Sequence, residues 1–200
     1  MDDAAKRLRL GRPEWIQEAL AVLADVGVEG VRVEPLAKRV GVTKGSFYHH
    51  FADRDDLLRA VLDGWFEQAT LHVIELVNEH SRRPEERLRH LLQMAVDPVA
   101  CERMRFVDVG IRDWARRDRR AAAVLEAMDA KRCEYIAERL RALGCEASEA
   151  GFRAFLVYSY ILGEVQMARA DSHEARLQRV EHCLAQLVLD LPGVGAVEEA

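Results

Sequence analysis

Residues 32–51 read RVEPLAKRVGVTKGSFYHHF, and this stretch decides the fold. Leu36, Ala37 and Val40 fall at the i, i+1, i+4 spacing that lays an apolar stripe along one helix face. Gly41 follows, where the helix must end and the backbone needs the positive φ that glycine adopts without a Cβ penalty. Val42 packs in the turn, and Thr43 suits the cap of a second helix. Phe47 and Phe51, four apart, give that second helix a buried face. Ala37 puts a small side chain where the two helices must cross. Two short helices joined by a tight turn in this way form a helix-turn-helix.

The other face of the second helix has the chemistry of a DNA reader. Thr43, Lys44, Ser46, Tyr48 and His49 are hydrogen-bonding groups, and Gly45 is small enough to let the backbone come close to a partner. Lysine pairs with phosphate or with a guanine edge, and Tyr and His bond phosphate oxygens. A helix N-terminus also favours phosphate. Lys38 on the first helix and Arg54 just beyond the second extend the same surface. A plain helical hairpin also has a polar outer face. Thr-Lys-Gly-Ser at the helix start and Phe-Tyr-His-His-Phe at its close set this one apart.

Gly41 to Phe51, followed by Asp53-Arg54-Asp55-Asp56-Leu57-Leu58, resembles the signature of TetR-type (TetR/AcrR) transcriptional regulators. The resemblance is strong over residues 12–66. Beyond them it rests on helical character and on the weaker string 111–118, Ile-Arg-Asp-Trp-Ala-Arg-Arg-Asp. One departure is Arg32, which stands where the family often carries a Thr or Ser cap. Arginine cannot accept a capping bond, but it can reach a phosphate. The resemblance implies an all-α homodimer that binds a double-stranded DNA operator and responds to a small-molecule effector.

Composition agrees with a soluble helical protein. Half of the 200 residues are hydrophobic and 32% are charged, and no apolar run approaches the roughly 18–20 residues of a membrane span. The opening, MDDAAKRLRLGR, is charged throughout and has no secretory pattern, so a cytoplasmic location is expected. The net charge is −5, with the first sixty residues near balance and the acidic excess beyond them. Only a DNA-facing surface has to be positive. Cys101, Cys133, Cys145 and Cys183 are scattered without zinc-site spacing and read as reduced, mostly buried thiols.

Taken in order, the chain opens with a basic arm, residues 6–12, suited to a DNA backbone or minor groove. Ile16, Ala19, Leu20 and Leu23 mark a support helix that stops at Gly27. Asp53 caps a long connecting helix carrying Leu58, Val61, Leu62 and Trp65. Pro84 opens another helix. The charged string 116–120 reads as a solvated turn or as a turn docked on the DNA-binding helices. The linear division is 1–52 for the arm and helix-turn-helix, 53–80 for the connector, and 81–200 for effector binding and dimerisation. About nine helices are expected in all.

The last two helices are the expected dimer surface. The segment from Glu149 to about Ala168 is apolar nearly all round, and such a helix must be covered all round. The final helix places Leu177, Val180, Leu184, Leu187 and Leu191 along a coiled-coil-like seam. With Phe152, Phe155, Tyr160 and Gly163, these residues are the candidate interface. Trp65, Met94, Phe106, Trp114, Tyr135, Phe155 and Tyr158 are the candidate walls of a pocket for an apolar or amphipathic effector. No catalytic or phosphate-cradling motif is present, and the histidines are not at ligand spacing. The expectation is a non-enzymatic regulator without cofactor or metal. A ligand-independent repressor, an activator and a helical small-molecule-sequestering protein are the alternatives.

Overall fold

The computed structural model describes residues 11–167, 171–188 and 191, apart from the side chains of residues 99–103. Residues 6–10 of the basic arm and the Cys101 side chain therefore lie outside the described residues. All regular structure among those described is helical: α1 Arg12–Val26, α2 Val33–Arg39, α3 Lys44–Tyr48, α4 Arg54–Phe66, α5 His72–His80, α6 Pro84–Met94, α7 Pro98–Ala115, α8 Arg119–Ala142, α9 Ala147–Gln166 and α10 His173–Leu187. A π-helical turn, Glu67–Leu71, lies between α4 and α5 in the chain.

The ends of these helices follow from local chemistry. At the end of α2, Gly41 takes φ 77°, its N–H bonds the Lys38 carbonyl at 3.2 Å, and the Val42 N–H bonds the Ala37 carbonyl at 2.9 Å. These two bonds make up the left-handed closure that satisfies the last carbonyls of a helix. It recurs after α8, where Gly144 takes φ 88° and the Cys145 N–H bonds the Leu140 carbonyl at 3.1 Å. Asp53 caps α4 by accepting the Asp56 N–H at 2.8 Å. Thr43 holds the cap position of α3, but its side chain makes no capping bond. The expected hydroxyl cap is therefore not formed, and the Thr43 carbonyl alone receives the Ser46 N–H. Pro98 opens α7, as a proline in a first helical turn does.

Contacts group the chain into two compact units. The first takes in residues up to Gln68 together with Phe106–Glu126, and the second Ala69–Arg105 with Ala127 onward. In the first, α1 packs on α4, and α2 packs on α3 and α1. Trp15, Leu23, Leu36, Phe47, Phe51, Leu57 and Val61 are fully buried there. Gly110 explains why a segment far along the sequence joins this unit. A Cβ on Gly110 would lie 2.5 Å from Leu23 Cδ2 and 2.9 Å from the Leu23 carbonyl oxygen, so α7 lies directly against α1. In the second unit, α6, α8, α9 and α10 enclose a core of Leu88, Leu92, Ile136, Leu140, Ala154, Val157, Val180 and Leu184.

Candidate nucleic-acid interface

Helix α3 has only five residues, and neighbours hold it in place where its own hydrogen bonds are few. Phe47 is its anchor: it is fully buried, meets Trp15 edge-on at 5.4 Å and stacks on Phe51 at 5.3 Å. Arg12, at the start of α1, clamps the far end. Its guanidinium lies 4.3 Å above the Phe51 ring and donates to the His50 carbonyl, and it also faces Asp56. The clamp holds the α3 end at a fixed place on the three-helix core.

With Phe47 turned inward, Thr43, Lys44, Gly45, Tyr48 and His49 all face solvent, and Ser46 is half-buried. Tyr48 is 53% exposed. A Cβ on Gly45 would meet nothing closer than Thr43 Oγ1 at 3.6 Å, so nothing inside the chain demands glycine there. Lys38 in α2 and Arg32 at its N-cap are exposed and form no ion pair with any described residue. Lys44 is engaged: its Nζ donates to Glu34 Oε1 at 2.7 Å. That hydrogen bond, with the charge attraction behind it, raises the Lys44 ammonium above its ordinary pKa and lowers the Glu34 carboxyl below its own.

Arg54, expected from the sequence to contact phosphate, is engaged within the chain. Its Nε donates to the Val31 carbonyl at 2.6 Å and its Nη2 to the Val28 carbonyl at 2.8 Å. The side chain is half-buried and braces the 3-10 turn between α1 and α2. The turn after α7, by contrast, is docked and not merely solvated. Arg120 binds Asp55 at 2.8 Å in the first turn of α4 and also Asp118, and these bonds hold both carboxyls below the usual carboxylate range.

The tetracycline repressor protein class C of Escherichia coli is 30% identical over 173 residues, spanning 83% of this chain and 71% of that protein. The description of bacterial regulatory proteins, tetR family, matches residues 16–61, the region built around α3. The chain belongs to the TetR family. Family members are regulators rather than enzymes. The HTH-type transcriptional repressor KstR2 of Mycobacterium tuberculosis is 27% identical over 99 residues, half of this chain and 49% of that protein. The BetI regulator of Pectobacterium atrosepticum matches 43% of its own length at 32% identity. The chain thus spans about half the length of several curated relatives it matches. A transcriptional regulator from Rhodococcus sp. Rha1 has the same fold, with TM-score 0.76 over 92% of this chain and 98% of that one at 19% identity.

In this TetR-family chain the expected effector walls are divided between the two compact units. Trp65, Phe106 and Trp114 fall in the first unit, and Met94, Tyr135, Phe155 and Tyr158 in the second. Phe106 and Phe155 face outward, 50% and 61% exposed. Tyr135 donates its hydroxyl to Asn78 at 2.9 Å; the Tyr158 hydroxyl donates to Asp129 at 2.6 Å and accepts from Arg132 at 3.0 Å. Those tyrosines are spent on polar networks, whereas the buried Trp65 indole N–H has no hydrogen-bond partner among the described residues.

The expected dimer residues divide as well. Val180, Leu184 and Leu191 are buried in the second unit, with Tyr160, Leu177 and Leu187 packed partly buried against them. The α10 seam faces its own core, because α9 and α6 already cover it. Of these residues Phe152 and Phe155 are exposed, and Gly163 is half-buried. Buried Cys145 and half-buried Cys133 and Cys183 are free thiols; burial, then the nearby Glu164 charge, pushes Cys183 up to about 11, which keeps it protonated. Among the described residues no helix is long and apolar enough to cross a membrane, and no His, Cys, Asp and Glu group could hold a metal.

Proposed function

We propose that this TetR-family chain binds a palindromic DNA operator as a homodimer, represses transcription there, and is released by a small, largely apolar effector. The observation that supports DNA reading is the outer face of α3, where Lys44, Tyr48 and His49 flank a glycine that the chain itself does not require. Lys44, with Thr43 and Gly45, would meet base edges. Tyr48, His49, Ser46, Lys38 and Arg32 would meet phosphates. The functional division keeps residues 1–52 facing DNA and 53–80 as connector, with effector and pairing surfaces beyond. Segment 106–126 sides with the DNA-facing unit.

The pairing surface is the outer face of α9. Phe152 and Phe155, each 61% exposed, share that face with Gly151, Ser159 and Gly163, while Ala150, Ala154 and Val157 are buried. A Cβ on Gly151 would touch nothing, so no packing within the described residues requires glycine there. Release would follow if the effector binds better to a dimer whose α3 helices no longer match successive major grooves. Arg120–Asp55 and Gly110 against Leu23 tie α7 and α8 to α4 and α1, which gives such a shift a route to α3.

Selection of bound sequences from a randomised duplex library tests the reading. The expected result is enrichment of one motif with two inverted half-sites, bound about 1–3 kcal/mol more weakly by Lys44→Ala. Recovery of no motif under low-salt, competitor-containing conditions would refute operator binding.

A further inference from the structure

Lys44 is the only Lys or Arg in α3, and it is held by an acid from the other helix of the motif. Glu34 sits in the first turn of α2, ten residues earlier, and the Gly41 closure brings its carboxylate to 2.7 Å from the Lys44 ammonium. Both side chains are exposed, 51% for Lys44 and 73% for Glu34, so the pair lies on the surface that would face DNA. Lys38 in α2 and Arg32 at its N-cap have no such partner among the described residues.

We propose that Glu34 is a specificity-setting residue of the DNA-binding surface, which turns Lys44 from a general phosphate contact into a base-edge contact. A lysine bonded to a carboxylate has little net charge to offer a phosphate backbone. Binding that depends on phosphate alone therefore gains little from it. The ammonium has three N–H donors and Glu34 uses one, leaving two for the O6 and N7 acceptors of a guanine. The carboxylate keeps lone pairs that can accept from a cytosine amine. The neutral pair is thus indifferent to plain duplex and responsive to the right base edges. The proposal rests on the reading of α3 as the DNA-reading helix.

The test needs no operator. Wild type, Glu34→Gln, Lys44→Gln and the double variant are titrated by fluorescence anisotropy against a labelled 30-base-pair duplex of scrambled sequence, from 0.05 to 0.2 M salt. Releasing Lys44 adds one neutralised phosphate, which steepens the slope of log K against log salt by about 0.9. Glu34→Gln is therefore expected to bind scrambled duplex more tightly at 0.05 M and to lose about 3.5-fold more affinity over that fourfold rise. Lys44→Gln alone should leave the slope near wild type, and the double variant should return to it. Glu134→Gln, with the same net-charge change in the other unit, should change nothing. A Glu34→Gln slope equal to wild type overturns the proposal while leaving DNA binding intact. So does a double variant that keeps the steeper slope, because the effect then does not pass through Lys44. Failure of every protein to bind duplex at 0.05 M salt overturns this proposal and the DNA-reading assignment together.

Discussion

Helices α3 and α9 both present a face that their own chain leaves uncovered, and the two faces have opposite chemistry. On α3 the outward groups are a lysine, a tyrosine, a histidine and a glycine, and the aromatic Phe47 is turned inward. On α9 the small residues Ala150, Ala154 and Val157 are turned inward and the aromatics Phe152 and Phe155 face out. A donor-rich face fits a polyanion with specific base edges. An apolar face fits an apolar surface, and a second copy of α9 supplies one with the same complementarity. The difference teaches that exposure alone says little about a helix, and that the residue types it exposes point to the partner.

Breaking the apolar side of this comparison is expected to have the largest effect. Phe152→Lys with Phe155→Lys should abolish self-association, giving a 22.7 kDa species by sedimentation equilibrium. Thermal stability of the monomer should change little, because both rings are exposed. A dimer that persists in that variant would place the pairing surface elsewhere. The scaffold beneath α3 comes next: Phe47→Ala should cost about 3–5 kcal/mol in chemical denaturation, as removal of a fully buried aromatic does. Gly110→Ala should cost about 1–3 kcal/mol, because the added Cβ would press on Leu23 and part of its clash is with backbone. A neutral result would mean that α7 is free to slide on α1.

The smallest effect concerns pH. Asp55 has its carboxyl lowered below its ordinary value of 3.8, chiefly by the Arg120 hydrogen bond. A carboxyl whose folded pKa is lowered contributes stability that is present above the unfolded value and is lost as pH falls through the folded one. Asp55→Asn should therefore lower stability slightly at neutral pH and flatten the loss between pH 4 and lower values. Equal acid sensitivity in wild type and variant would show that the Arg120 clasp contributes nothing to the folded state.

The helix-turn-helix was legible because it is built by local rules. Its stripe, its closing glycine and its aromatic pair lie within 20 residues, and each feature has a short-range cause. The brace by Arg54 and the clamp by Arg12 were not legible for the opposite reason: a guanidinium is defined by its partners, and Val28, Val31 and His50 become neighbours only after folding. No spacing rule marks Gly110 either, although the string beginning at Ile111 lies beside it. The faces of α9 and α10 were hard to assign from periodicity. Helix α9 is apolar on two sides, and pattern alone does not say which side enters the core. The structure turns Ala150, Ala154, Val157 and Tyr158 inward and leaves Phe152 and Phe155 outside. The effector walls were the least legible, because aromatic content does not distinguish a pocket wall from a core residue or an outward face.

Gly45 offers the most direct test of the claim that α3 presents a DNA-reading face. Inside the chain a side chain at this position meets nothing nearer than 3.6 Å, and replacing glycine in a helix removes a penalty of about 0.5–1 kcal/mol. The measurement is the affinity of Gly45→Leu for the selected duplex, with thermal unfolding followed on the same preparation. The account predicts an unfolding temperature equal to or above wild type, with affinity reduced tenfold or more because the added side chain holds the backbone off the bases. Wild-type affinity in a variant that is fully folded would contradict it.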